Sequence, residues 1–316
     1  MLGRIVEIAD DRRHLYVERG SLMVRDTTQG ECAVLGMVPL DDIAAVIAHA
    51  HGLSYTNNLL VALAERGVPF VLCGSNHNAV GMLLSLDGHH VQAQRIEAQI
   101  ASSLPMAKRL WASIVKTKLH NQAAVLAWAG LPTAPLTALV AKVRSGDPDN
   151  LEAQGARRYW QILFGTDFRR DRSLDGTNAL LNYGYTIVRS AMARAVVAAG
   201  LHPSIGLHHS HDGNAMRLVD DLMEPYRPLV DWQVWNLCKA QVETSTDIEL
   251  TSAIKRQLVH VLYADLPTEH GRTPVQVCMH KHAVSLAQVL LKERKNLQQP
   301  ILPAQPLFAA QEALED

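Results

Sequence analysis

Along the first 85 or so residues, apolar positions come in short runs broken by Gly, Asp or Pro, a pattern of strands. Arg4–Ala9, His14–Glu18, Ser21–Arg25, Ala33–Pro39 and Ile43–Ala48 are such runs, rich in Val, Ile and Leu. One helical stretch interrupts them: Leu59, Leu60, Leu63 and Ala64 recur at helical spacing, and Gly67 closes it. Val68–Leu72 and Met82–Leu86 then return to strand character. The pattern predicts a small β-rich domain over residues 1–86.

Near Asp87-Gly88-His89-His90 the period changes from strand to helix. Ala98–Trp111, Lys116–Trp128, Asn178–Ala199 and Asp247–Ala264 read as helical runs, punctuated by Pro132, Pro135 and Gly146–Pro148. A larger all-helical domain is therefore expected over 87–300, followed by a poorly packed tail over 301–316. The fold class this predicts is α+β.

Composition narrows the functions available. The 316 residues suffice for two domains, each with its own core. A net charge of −1, from 30 basic and 31 acidic side chains, is no global nucleic-acid signature. Local clusters of Lys and Arg are what a phosphate senses, so nucleic acid stays open. Cys32, Cys73, Cys238 and Cys278 lie far apart, which argues against a thiolate zinc site or a disulfide framework and for a reducing compartment. Glu7 and Asp10 stand where a signal peptide needs an apolar run, and no apolar stretch approaches the roughly 20 residues of a membrane span. A soluble, cytoplasmic protein without membrane contact is expected.

The densest chemistry lies near residue 210. Gly206-Leu207-His208-His209 precedes an Asp212-Gly213 turn that lets the histidine pair fold back toward Asp221 and Glu224, which follow three apart and so on one helical face. Pro225 cannot donate to the carbonyl of Asp221 and disfavours helical geometry at Glu224, so a kink is predicted at the acidic pair. Oxygen and nitrogen ligands without cysteine suit magnesium or manganese. Arg217 and Arg227, at i−4 and i+3, allow a plainer reading of these acids as a surface ion-pair ladder.

A second acid stands upstream. Asp147-Pro148-Asp149-Asn150 is a strong helix start, after which Glu152, Ala156, Tyr159 and Leu163 share one side while Arg157, Arg158 and Gln161 take the other. Glu152 at the end of an apolar stripe is either a ligand in want of a cation or a first-turn acid favoured by the helix dipole. Lys108, Arg109, Lys116 and Lys118, then Arg157 and Arg158, then Arg169, Arg170 and Arg172, with Trp111 and Trp160 interleaved, could form a phosphate track; solvated helix faces are the alternative. His49/His51, His89/His90 and His280/His282 have no carboxylate pair at helical spacing and read as surface or capping residues.

In order along the chain stand Asn150-x-Glu152-x-x-x-Ala156-x-x-Tyr159, Asn178-Ala-Leu-Leu-Asn-Tyr-Gly184-Tyr185, Gly206-Leu-His-His209, Asp221-Leu-Met-Glu224-Pro-Tyr-Arg227-Pro and Asp231. This series resembles the CRISPR-associated integrase, the catalytic subunit that captures spacers, most closely in its type II variety. Val38-Pro39-Leu-Asp-Asp-Ile43 and Leu63-Ala-Glu-Arg-Gly67-Val-Pro69 resemble that family's β-domain. The resemblance implies a dimerising first domain and a divalent-metal site in the second, with Glu152, His209 and Glu224 as ligands and Asp221 supplementary or behind them. His208 adjoins His209, so the choice within the doublet is part of this expectation. It further implies Mg2+ or Mn2+ as cofactor, double-stranded DNA as substrate, a homodimer, and a small second CRISPR-associated adaptation subunit as partner. A DNA 3′-hydroxyl would attack a phosphodiester during spacer insertion, and water in its place would make a nuclease. A metal-dependent hydrolase of small phosphoesters and a non-catalytic DNA-binding scaffold are the alternatives.

Overall fold

The computed structural model describes residues 4–27, 33–48, 50, 52–74, 79–86, 89–242, 248–269 and 271–307. Cys32, His49, His51, Asp87, Gly88 and Asp247, named above, lie outside the described residues, as does the end of the expected tail. The chain divides into two compact units, residues 1–90 and 91–316.

In the first unit the elements run β1 (Arg4–Ile8), β2 (Arg13–Glu18), β3 (Ser21–Asp26), β4 (Val34–Pro39), β5 (Ile43–Ala48), β6 (Ser54–Tyr55), α1 (Asn57–Glu65), β7 (Phe70–Cys73) and β8 (Ala79–Leu83). They form two four-stranded sheets, ordered β1-β5-β7-β8 and β4-β3-β2-β6. In the first sheet β1, β5 and β7 are parallel and β8 is antiparallel to β7. β5 is buried at all six positions, as its unbroken Ile-Ala-Ala-Val-Ile-Ala sequence requires of a strand covered on both faces. Leu15 and Leu22 of one sheet, Val46 and Phe70 of the other, and Leu59 and Leu63 of α1 meet in one core. Thr56 caps α1 by accepting from the Leu59 amide. The last strand lies three residues earlier than its pattern suggests, because β8 is held in register opposite β7, with Phe70 facing Leu83.

The second unit contains α2 (Gln92–Ile100), α3 (Leu104–Trp128), α4 (Ala134–Val140), α5 (Leu151–Phe164), α6 (Thr177–Ala198), α7 (Arg217–Met223), α8 (Arg227–Val242), α9 (Ser252–Val259), β9 (Asp265–Thr268), β10 (Gly271–Pro274) and α10 (Val275–Leu290). The antiparallel β9–β10 ribbon is the exception to an otherwise helical unit, and nothing in the periodicity announced it. The run expected over Ala98–Trp111 is two helices: Ser103 caps α3 by accepting from the Met106 amide, and Pro105 sits in its first turn. α6, buried along most of its length, is the central rod, packed by α7, α8, α9 and α10. α3 packs on α4, α5 and α8.

Gly155 permits the α3–α5 contact, since a Cβ there would collide with the Leu119 side chain. The expected tail begins later than residue 301. Asn121 donates to the Pro300 carbonyl and accepts from the Leu302 amide, Trp128 donates to the Pro303 carbonyl, and Leu302 is buried.

Candidate active site

Four segments of the second unit supply the site: α3, the start of α5, the loop before α7, and the junction of α7 with α8. The start of α5 is fixed by its own sequence. Asp147 accepts from the amides of Leu151 and Glu152, both at 2.9 Å, and Asn150, left-handed at φ 50°, accepts from Ala153. Glu152 is thereby held in the first turn, beside the apolar face of Leu151, Gly155, Tyr159 and Leu163.

The kink predicted at Pro225 is present. α7 ends at Met223, residues Glu224–Tyr226 form a 3₁₀ turn, and α8 starts at Arg227. The turn carries Glu224 inward to 4% exposure, and Asp221 is fully buried. The surface-ladder reading therefore fails for both acids. Arg217 instead pairs with Asp212 at 2.9 Å, while Arg227 does pair with Glu224 at 3.1 Å.

Glu152 and Glu224 converge on one cation, the ammonium of Lys118 from α3. Nζ bonds Glu152 Oε1 and lies 2.5 Å from Glu224 Oε2. Glu224 is thus paired by charge with both Lys118 and Arg227. Burial would push the Glu224 carboxyl up; the charges of Arg227 and Lys118 overcome it and hold the group at about 2. Burial would likewise lower Lys118, and the two glutamates reverse it and raise the ammonium instead. Among the described residues, no three His, Cys, Asp or Glu side chains converge as a ready metal cage.

Asp221 faces the histidine loop. Its carboxylate accepts from the amides of Leu207 at 2.6 Å, His208 at 3.1 Å and His209 at 3.2 Å, and Oδ1 lies 2.6 Å from His209 Nδ1. Gly206 makes this wrap possible: a Cβ there would stand 2.8 Å from Arg217 Cβ and 3.0 Å from Asp221 Oδ2. Gln99 of α2 anchors the loop from behind, donating to the carbonyls of His202 and Ile205 and accepting from the His202 amide. The hydrogen bond to Asp221 raises the His209 pKa against the effect of partial burial, and Glu224 adds to the rise. His208 is used differently: its ring stacks flat on Trp111, centroids 4.3 Å apart at 1°. A cleft of about 450 Å³ opens here, walled by Trp111, Asp147, Asn150, Glu152, His208 and His209 among others.

Other expectations change. Arg157 and Arg158 are exposed on the outer side of α5. Lys118 is no part of a phosphate track, because it is buried, and Trp111 is buried as well. Arg170 is turned inward, donating to Asn178 at 2.9 Å and Asn182 at 2.7 Å. His282 is a core residue, not a surface one. It is fully buried against Tyr226, and burial pushes its pKa down to about 3, so the neutral ring packs as an aromatic. Asp231 is also buried, accepts from the Tyr185 hydroxyl, and is pushed up to about 7 by burial.

The chain is therefore an α+β protein of two units, a β-rich first and a helical second, in which buried acids meet a histidine loop at a polar cleft. Comparison with known proteins narrows this class. The family model described as CRISPR associated protein Cas1 matches residues 6–259. A CRISPR-associated endonuclease Cas1 of Neisseria meningitidis serogroup C is 35% identical over 293 residues, covering 92% of this chain and 93% of that protein. The chain belongs to the Cas1 family. Among solved structures, a casposase bound to integration product matches with a TM-score of 0.78 at 17% identity, covering 98% of this chain and 95% of that one. A chain of a Cas6-RT-Cas1–Cas2 complex matches with a TM-score of 0.73 at 19% identity, covering 94% of this chain and 36% of that one. These two likenesses show the fold. Among the described residues, no helix is long and apolar enough to cross a membrane.

Proposed function

We propose that the chain is a DNA endonuclease and integrase, which inserts captured DNA fragments into a CRISPR array by attack of a DNA 3′-hydroxyl on a phosphodiester. The observation that carries this reading is the meeting of Glu152 and Glu224 on one cation, beside a histidine oriented by a buried aspartate, in a member of the Cas1 family.

Glu152, His209 and Glu224 are the residues that would hold a divalent metal, Mg2+ or Mn2+. Two carboxylates and an imidazole without thiolate suit such an ion, and the Lys118 ammonium shows that the place between the acids favours positive charge. When bound, the metal would polarise a phosphodiester and lower the pKa of the attacking hydroxyl or water. Asp221 engages Nδ1 of His209, which leaves Nε2 as the nitrogen for a cation and orients the ring. Arg227 keeps Glu224 ionised across neutral pH despite its burial. Trp111 keeps the His208 ring stacked, which favours His209 within the doublet. Arg157 and Arg158, exposed on α5, are placed to meet the phosphates of double-stranded DNA.

The first unit is the dimerisation domain and the second the catalytic domain. The partner is a small second CRISPR-associated adaptation subunit, Cas2, a reading motivated by the Cas1–Cas2 complex among the structural relatives. The site of action is the cytoplasm.

The rival in which the acids serve only as ion pairs rests on the same Lys118 and Arg227 contacts. Strand transfer separates the readings. A fork-ended duplex and a supercoiled plasmid carrying a repeat are incubated with the protein, with and without Mn2+. Joined products that require both Mn2+ and each of Glu152, His209 and Glu224 are expected. Cleavage or joining unaffected by chelation, or by alanine at any one of the three, removes that metal or that residue from the site.

A further inference from the structure

Lys118 is a buried charged group, in contact with two of the site's acids, that the site reading leaves without a role of its own. Its side chain is 7% exposed, it comes from the middle of α3, and it meets one acid from α5 and another from the 224–226 turn. A lysine ammonium is strongly hydrated, and burying it is costly unless it is paired. Here two carboxylates compensate it, one of them 5% exposed. The compensation is mutual, because Glu152 and Glu224 brought together without a cation would repel.

The carboxylate oxygens that face the space between the two glutamates, Glu152 Oε1 and Glu224 Oε2, are the ones the lysine holds. A divalent ion held by the pair would compete with it for one place. The lysine brings a single charge and fills its own coordination with N–H groups, whereas a metal brings two charges and open positions. His209 keeps its bond to Asp221 through Nδ1 and would offer its other ring nitrogen to the incoming ion.

We propose that Lys118 is a built-in counter-cation that closes the Glu152–Glu224 pair until a divalent ion displaces its ammonium, so that metal affinity is set by competition with this lysine. The inference rests on the reading of Glu152 and Glu224 as metal ligands. It differs from a purely structural ion pair in one respect: removing the lysine must help the metal while it harms the metal-free protein.

Calorimetric titration of the full chain with Mn2+ at pH 7, together with melting curves in chelator and in Mn2+, tests this on wild type, Lys118→Met and Lys118→Gln. The neutral variants should bind Mn2+ at least about tenfold more tightly, the cost of breaking the ion pairs being gone. Their metal-free forms should melt lower than wild type, and Mn2+ should raise their melting temperature by more than it raises that of wild type. If Lys118→Met folds only when Mn2+ is present, that too supports the competition. Equal or weaker Mn2+ binding by Lys118→Gln, with wild type binding the ion normally, overturns the counter-cation and leaves the metal site standing. If neither wild type nor the variants bind Mn2+, the metal reading and this inference fall together.

Discussion

At the residue scale, the adjacent histidines have unlike surroundings. His209 has a carboxylate on Nδ1 and a raised pKa, whereas His208 has an indole face. His209→Ala should therefore abolish Mn2+-dependent strand transfer with the circular dichroism spectrum unchanged, and His208→Ala should retain measurable activity. A reversed order would exchange their roles. Asp221→Asn keeps the shape but weakens the orienting bond, and should lower Mn2+ affinity by about 10–100-fold in titration. Asp231 provides a pH signature. Its folded pKa of about 7 lies above the ordinary carboxylate value, so the stability it permits is complete below pH ~4 and is lost as pH rises through about 7. Asp231→Asn should lose less melting temperature than wild type between pH 5 and pH 8. Parallel profiles would show that Asp231 does not titrate in that range.

At the element scale, the site depends on how closely α5 approaches α3. Glu152 rides on α5 and Lys118 on α3, and Gly155 lies at the contact against Leu119. Gly155→Ala places a methyl where Leu119 already stands, so a loss of about 1–3 kcal/mol is expected from chemical denaturation. The displacement should also weaken Mn2+ binding, because it moves Glu152 away from Glu224. Alanine would be tolerated at this helical position if packing were loose, since it is the better helix former. A stabilised Gly155→Ala variant would thus refute the close approach.

For the whole molecule, the first unit leaves apolar side chains on β4 in solvent: Val34 is 51% exposed, Leu35 52% and Met37 64%. Among the described residues, β4 is also an edge strand, with one side of its backbone without a sheet partner. We expect a homodimer through this unit, with Leu35→Lys and Met37→Lys together yielding a monomer by light scattering at micromolar concentration. A dimer that persists in this variant would place the interface elsewhere. DNA binding by the full chain should be electrostatic. Charge reversal at Arg157 and Arg158 should weaken it and lower the log–log salt slope by about one for each phosphate no longer neutralised, with metal content unchanged.

The hydrophobic periods alone determined much. They placed most strands of the first unit and the central helix α6, because strand and helix periods are local properties of the chain. Proline chemistry located the break at Glu224 for the same reason. The residue order was enough to expose the family resemblance. Lys118 was legible in principle, since it shares a helical face with Trp111, Ile114, Gln122 and Val125, and a lysine on a buried stripe needs an anion. Its neighbours Lys108, Arg109 and Lys116 disguised it as one more surface charge. The Asp212-Gly213 turn signalled that the histidines would fold back toward the acidic pair, but nothing local indicated that Gln99 would anchor the loop or that residues 265–274 would form a ribbon. Those contacts join residues up to 106 positions apart, or depend on what covers a short polar segment. The sequence therefore determined the elements and the residue types of the site. Which carboxylate meets the cation and which meets the histidine was decided only when packing brought α3, α5 and α7 together, because burial and charge pairing are properties of the assembled core.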